Sequence, residues 1–244
     1  MERRDRTAGG PVAPDARPGA VITPAVLALL HTSPVHVPVF EALRDRHHPG
    51  TALRHLVRED LLARARNEGT GPVADEVAGA VAAAAAGGAR AVLCTCSTLG
   101  AVAEAAAARA GVPVLRVDRP MAAAAARLER VAVVAALAAT VGPTVALIRE
   151  EAARSRTDPR LRTHLVPGAW HRFASGDREG YLDAVARAVD AVRDADAVLL
   201  AQASMADAAE RARTALPVLS SPASGLRAAA RAASGAAGPS SARP

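Results

Sequence analysis

The chain has 244 residues, 50% hydrophobic, 22% charged and only 2% aromatic, a globular composition long enough for one large α/β domain or two lobes of about 100 residues each. It contains no lysine: its 30 basic residues are all arginine, set against 24 acidic ones for a formal charge of +6. Neither a pyridoxal phosphate Schiff base nor a Gly-Lys-Ser/Thr phosphate loop can therefore be built, and arginines interleaved with Asp and Glu, with few aromatics for base stacking, read as a solvated surface, not as a nucleic-acid interface.

Taken in chain order, residues 1–19 are rich in Gly, Pro and Arg and lack the apolar core of a secretory signal, so they read as a mobile tail. Strand candidates follow: "AVLALLH" (25–31), "ALRHLV" (52–57), "ARAVLCT" (89–95) and "VPVLRV" (112–117). After "RPMAAAAARL", which reads as a crossover helix, come "RVAVVAAL" (130–137), "RTHLVPG" (162–168), "DAVLLAQ" (196–202) and "LPVLSS" (216–221). "SGLRAAARAA" reads as a last helix, and residues 234–244 as a second tail. Short apolar runs alternating with alanine-rich helical stretches predict parallel sheets of βαβ units, the α/β class. No uninterrupted run of about 18 apolar residues is present, so no membrane contact is expected and the cytoplasm is the expected compartment.

An internal repeat organises these elements. "AVLCTCSTLGAVAE" from Ala91 aligns without gaps on "AVLLAQASMADAAE" from Ala197, setting Cys96 against Gln202 and Thr98 against Ser204; each is followed by a helix and then "VPVL" or "LPVL". A weaker match sets Thr32 beside Thr140. Two matches in the same order predict two pseudo-symmetric lobes, each a four-stranded parallel sheet flanked by helices. The N-terminal lobe spans 20–118, the C-terminal lobe with its crossover helix 119–222, and a helix at 223–233 returns to the first lobe. The active-site cleft is then expected between the lobes, at the carboxyl ends of the strands.

Both cysteines sit at the end of the third strand. On a strand Cys94 and Cys96 would point to the same side, but the strand ends about there, which leaves Cys94 in the core while Cys96 reaches the loop, with Ser97, Thr98 and a helix start behind it. Backbone N–H groups there lower a thiol pKa and receive an anion, so a thiol and a carboxylate pocket coincide without any cofactor. That pairing suits proton transfer at carbon next to a carboxylate. No second ligand pair stands at metal-binding spacing, so no metal is expected.

"VLCTCST", followed by a helix and "VPVLRVDRPM", resembles the first cysteine motif of the aspartate/glutamate racemase superfamily, which includes hydantoin racemase, maleate isomerase and arylmalonate decarboxylase. The resemblance covers most of residues 24–230 and implies two α/β lobes whose cleft binds a small carboxylate on Ser, Thr, Asn and backbone N–H groups, and it is compatible with a homodimer. Cys96 matches the first of that family's two acid/base cysteines, with Ser97 and Thr98 behind it. The chain departs from the pattern where the second cysteine belongs: Ala201-Gln202-Ala203 stands in place of Gly-Cys-Thr. Gln202 has no proton to exchange but can hold a carboxylate oxygen, so a single thiol is left to serve as acid/base or nucleophile in racemisation, isomerisation or decarboxylation.

His31-Thr32-Ser33-Pro34 likewise replaces the family's Asp-Ser or Gly-Gly loop, with His31 as a candidate second base. Thr32, Ser33, Ser97, Thr98, Thr140, Gln202, Ala203 and Ser204 form the expected substrate-binding set. His36, His47, His48, His55, Trp170 and Tyr181 read as packing or surface residues, and Asp118 and Arg119 as a pair or as cleft residues. The competing expectation is a carboxylate-binding sensor that kept the cleft and lost turnover.

Overall fold

The structure is a computed structural model that describes residues 25–235; the tail expectation for 1–19, and most of that for 234–244, lies outside the described residues. Strands β1 (Ala25–His31), β2 (Thr51–Val57), β3 (Ala91–Cys94) and β4 (Val114–Arg116) form one parallel sheet in the order β2-β1-β3-β4. Strands β5 (Arg130–Ala135), β6 (Arg160–Leu165), β7 (Ala197–Leu200) and β8 (Val218–Leu219) form a second in the order β6-β5-β7-β8. The helices are α1 (His36–His47), α2 (Glu59–Glu68), α3 (Ala74–Ala86), α4 (Gly100–Ala105), α5 (Ala107–Ala110) and α6 (Arg119–Ala125), then α7 (Ala138–Ser155), α8 (Ala169–Ala174), α9 (Arg178–Asp190), α10 (Ala208–Arg211) and α11 (Pro222–Ala233). Among the described residues no helix is long and apolar enough to cross a membrane.

Each central strand is apolar on both faces, as a strand covered by helices on both sides must be. Ala28 and Leu30 of β1 face a core shared with α2 and α3, while Leu27 and Leu29 face Phe40 of α1 and Leu226 and Ala229 of α11. In β5, Ala132 and Val134 pack on α9, and Val131 and Val133 on α6 and α7. α11 lies so close to the strand end that a Cβ on Gly225 would stand 2.4 Å from the Val117 carbonyl oxygen, a contact only glycine permits.

Strand β6 departs from its expected position, starting at Arg160 instead of Arg162. It is an edge strand whose Arg160, Arg162, Thr163 and His164 are exposed, so its boundaries carry little apolar signal. The helix expected over "LGAVAEAAAARA" (99–110), behind Ser97 and Thr98, begins at Gly100 and is split into α4 and α5.

Register corrects the repeat. Leu27 pairs with Ala91 in the first sheet and Val131 with Ala197 in the second, so Leu27 corresponds to Val131. One residue past the strand ends, Thr32 corresponds to Ala136; beyond that the connections to α1 and α7 differ in length. The match of Thr32 with Thr140, made on residue type, was therefore displaced by four positions, whereas β3 and β7 keep Cys96 opposite Gln202.

Candidate active site

The carboxyl ends of β1, β3, β5 and β7 meet across a cleft of about 450 Å³, part of it open to solvent. The first lobe contributes Thr32, Ser33, His36, Leu62 and the run Thr95 to Thr98; the second contributes Leu137, Thr140, Trp170, Phe173 and Gln202 to Ser204. The structure thus brings into one cleft nine of the ten residues singled out from the sequence: Cys96, Thr32, Ser33, Ser97, Thr98, Thr140, Gln202, Ala203 and Ser204.

His31 is the exception. It lies fully buried behind the first-lobe wall, its Nδ1 2.8 Å from Thr95 Oγ1 and its Nε2 2.8 Å from His55 Nδ1. With both ring nitrogens engaged, it is no second base at the cleft. His36 stands there instead. The repeat carried no signal for it: four residues separate β1 from α1, which His36 opens, and only two separate β5 from α7, so the lobes fall out of step there. Trp170 and Phe173, on adjacent turns of α8, were also missed as cleft residues. Three of the chain's four Trp, Tyr and Phe residues fall between positions 170 and 181, a concentration that marks an apolar wall in so aromatic-poor a protein.

Cys94 is fully buried, its thiol pKa raised far above the ordinary range by desolvation. Cys96 is 9% exposed and lines the cleft. Burial also raises its pKa, opposed by the Thr32 hydroxyl and the N–H groups of Leu99 and Thr98. The resting sulfur is therefore a protonated thiol, with three donors ready to receive the thiolate left when the proton departs.

On the facing wall, Gln202 Oε1 accepts the Ala136 N–H at 2.8 Å, while Gln202 Nε2 is buried without a partner among the described residues. An unsatisfied buried donor is costly, so this amide is poised for an acceptor brought by a ligand. Ser97 Oγ donates to the Ala201 carbonyl at 3.0 Å, tying the lobes at the cleft floor, and Ser204 shares a 2.8 Å hydrogen bond with Tyr181, whose burial lifts its pKa to about 12. These bonds commit the Ser97 proton, leaving its oxygen as an acceptor. Among the described residues no Asp, Glu or Arg side chain lines this inner cleft, Glu59 and Arg66 standing in the outer cavity that shares Thr32, Ser33, Leu62, Trp170 and Phe173 with it, and no cluster of three or more His, Cys, Asp or Glu converges to hold a metal.

Asp118 and Arg119 neither pair with each other nor reach the cleft. Arg116, 4% exposed, donates to Asp118 from Nε at 2.7 Å and Nη2 at 2.9 Å. Arg119 instead joins the lobes through Glu104 on α4 and Glu150 and Glu151 on α7.

Two buried histidines carry an acid sensitivity. Burial lowers His31, next to His36 and His55, to about 3, and His36 to about 4. Both are neutral when folded and gain a proton on unfolding below pH 6.5, so their contribution is present above that pH and is lost on acidification. Between pH 7 and 5 the fold should lose up to about 4 kcal/mol from the pair. Urea midpoints measured across that range check this, and His36→Asn should remove close to half of the slope.

The chain belongs to the Asp/Glu/hydantoin racemase family, whose profile matches residues 27–229. The fold agrees. Glutamate racemase from Thermus thermophilus, solved with β-chloro-D-alanine, superposes with a TM-score of 0.58 at 24% identity over 88% of this chain and 84% of that one. Glutamate racemase isoform RacE1 from Bacillus anthracis gives 0.61 at 16% identity over 84% and 79%, and arylmalonate decarboxylase 0.54 at 21% identity over 90% and 95%. A sequence comparison with curated proteins finds no match.

Proposed function

We propose that the protein is a cofactor-independent enzyme that protonates, from one side only, the carbon next to the carboxylate of a small acid. The observation that carries this reading is the asymmetry of the cleft: a protonated thiol, Cys96, stands on one wall, and a carboxamide, Gln202, at the corresponding place on the other. Two-base racemisation needs an acid/base group on each face of the carbon, and the second-lobe wall has no titratable side chain. In the favoured chemistry, an enediolate left by loss of carbon dioxide takes the Cys96 proton. The S–H bond breaks as the C–H bond forms, and the Thr32 hydroxyl and two backbone N–H groups hold the thiolate. Gln202 Nε2 binds an oxygen of the acid.

The lining also speaks to substrate class. Beside Cys96 an α-ammonium group has no carboxylate to pair with, Glu59 standing only in the adjoining outer cavity, whereas Leu62, Leu137, Trp170 and Phe173 offer an apolar wall. An amine-free acid with an apolar substituent, as in the arylmalonates of the decarboxylase relative, fits better than an amino acid.

Incubation of aryl- and alkyl-substituted malonic and acetic acids in D₂O, followed by NMR, tests the reading. Deuterium should enter at the carbon next to the carboxylate, and Gln202→Leu should raise KM about tenfold, the loss of one hydrogen bond to a charged oxygen. Saturable binding with no deuterium incorporation from any acid would instead make the protein a carboxylate sensor.

A further inference from the structure

Behind the first-lobe wall an unbroken hydrogen-bonded line runs from solvent to the cleft. Glu41 Oε1, on α1, lies 2.9 Å from His55 Nε2 on β2; His55 Nδ1 lies 2.8 Å from His31 Nε2 at the end of β1; His31 Nδ1 lies 2.8 Å from Thr95 Oγ1. Thr95 lines the cleft one residue before Cys96. Glu41 is half-buried, and its other carboxylate oxygen is held by Arg44, which also pairs with Asp45.

Counting hydrogens gives this line a direction. A carboxylate only accepts, so His55 Nε2 carries the hydrogen between it and Glu41. With a single ring hydrogen, drawn to Nε2 by Glu41, His55 accepts at Nδ1, which requires the hydrogen of His31 to sit on Nε2. His31 is neutral, because burial and the neighbouring His36 and His55 pull it down to about 3; the His36 ring stands 6.1 Å from it. Its Nδ1 is consequently an acceptor, and the Thr95 hydroxyl must donate to it. The other acceptor for that hydroxyl among the described residues is the Leu30 carbonyl, at 3.3 Å against 2.8 Å for His31 Nδ1. The hydroxyl hydrogen is thereby committed to His31, and what remains on the oxygen is acceptor capacity, on a residue that lines the cleft.

We propose that Glu41, His55 and His31 are positioning residues that lock Thr95 as a hydrogen-bond acceptor in the cleft, selecting a ligand with an O–H or N–H donor beside Cys96. The donor requirement on the acid rests on the function proposed above; the direction of the chain does not. Thr95 is thereby set apart from Gln202 and the backbone N–H groups around Cys96, which donate. A carboxylate three hydrogen bonds away decides whether one cleft oxygen gives or receives a hydrogen.

The test is ¹⁵N NMR of the histidine rings at neutral pH, in the wild type and in Glu41→Ala, with His55→Gln as a second variant. Both His31 and His55 should be Nε2–H tautomers in the wild type, and either substitution should move His31 toward the Nδ1–H form. A wild-type His31 with its hydrogen on Nδ1, or a His31 tautomer indifferent to both substitutions, overturns the proposal. In turnover, a 2-hydroxy acid should lose at least tenfold in kcat/KM relative to its 2-methyl counterpart in Glu41→Ala, and Glu41→Asp should restore part of the preference; an unchanged ratio overturns the selection. Ring tautomers are read without turnover, so the stated direction combined with no reaction of any acid would refute the acid chemistry alone.

Discussion

Cys96→Ala should abolish incorporation of solvent deuterium while leaving the fold and ligand binding in place. A general acid placed at the reacting carbon contributes typically about 10²–10⁴-fold, and no other titratable group on the cleft walls is placed to substitute for it: His36 is held neutral near 4, and the second-lobe wall is amide, hydroxyl and apolar. Cys94→Ala is the control, because that sulfur is fully buried and donates only toward the Cys96 carbonyl, at 3.6 Å. It should retain turnover. The pH profile separates acid from base. Since burial raises the Cys96 pKa, a proton donor stays competent through neutral pH and fails as pH rises through the elevated thiol value. A rate that instead climbs over that interval would show that the thiolate is the working form. Stopped assays from pH 6 to 10 with wild type, Cys96→Ala and Cys94→Ala read both outcomes.

The largest effect on stability should come from Asp118→Ala. The Arg116–Asp118 pair is bidentate and nearly devoid of solvent, with side chains 4% and 1% exposed. Removing the carboxylate strands a buried guanidinium, which costs about 3–5 kcal/mol. For a protein of this size that corresponds to a fall in Tm of roughly 6–20 °C. The loss should reach the cleft, because Arg116 Nη2 also donates to the Ser97 carbonyl at 3.4 Å. A Cβ on Gly100 would stand 2.7 Å from Arg116 Nε, so the turn behind Cys96 rests on this guanidinium. The double replacement Arg116→Met/Asp118→Leu removes both charges and should recover most of the loss in thermal melts. If the double variant melts as low as Asp118→Ala, the stranded charge is not the cause.

The sheets were legible in the sequence because parallel strands covered on both faces are continuous apolar runs, and "AVLALLH" and "AVLL" have no competing pattern. The repeat placed Cys96 opposite Gln202 because β3 and β7 are both four residues long and open on the same Ala-Val-Leu. Where the pattern thins, the reading drifts. Edge strand β6 exposes its polar residues, and its start was misplaced. The cleft's hydroxyls were legible as residues behind strand ends, but direction was not: His31 ends β1 just as Cys96 follows β3, yet it turns inward to His55 and Thr95. Those partners lie 24 and 64 residues away and become neighbours only through strand pairing. His36 was hidden for a related reason: it lies past the strand, where the connections to α1 and α7 differ in length and the repeat no longer aligns.

The seating of α11 has a consequence for the order of events during synthesis. Leu27 and Leu29 of β1 and Leu93 of β3 are covered on one face by Leu226, Ala229 and Ala233, residues translated some 200 positions after the strand they protect. A nascent chain that has emerged only as far as β8 carries both sheets but leaves a greasy flank of the earlier one bare to solvent or to a chaperone. The lobe made first is therefore finished last.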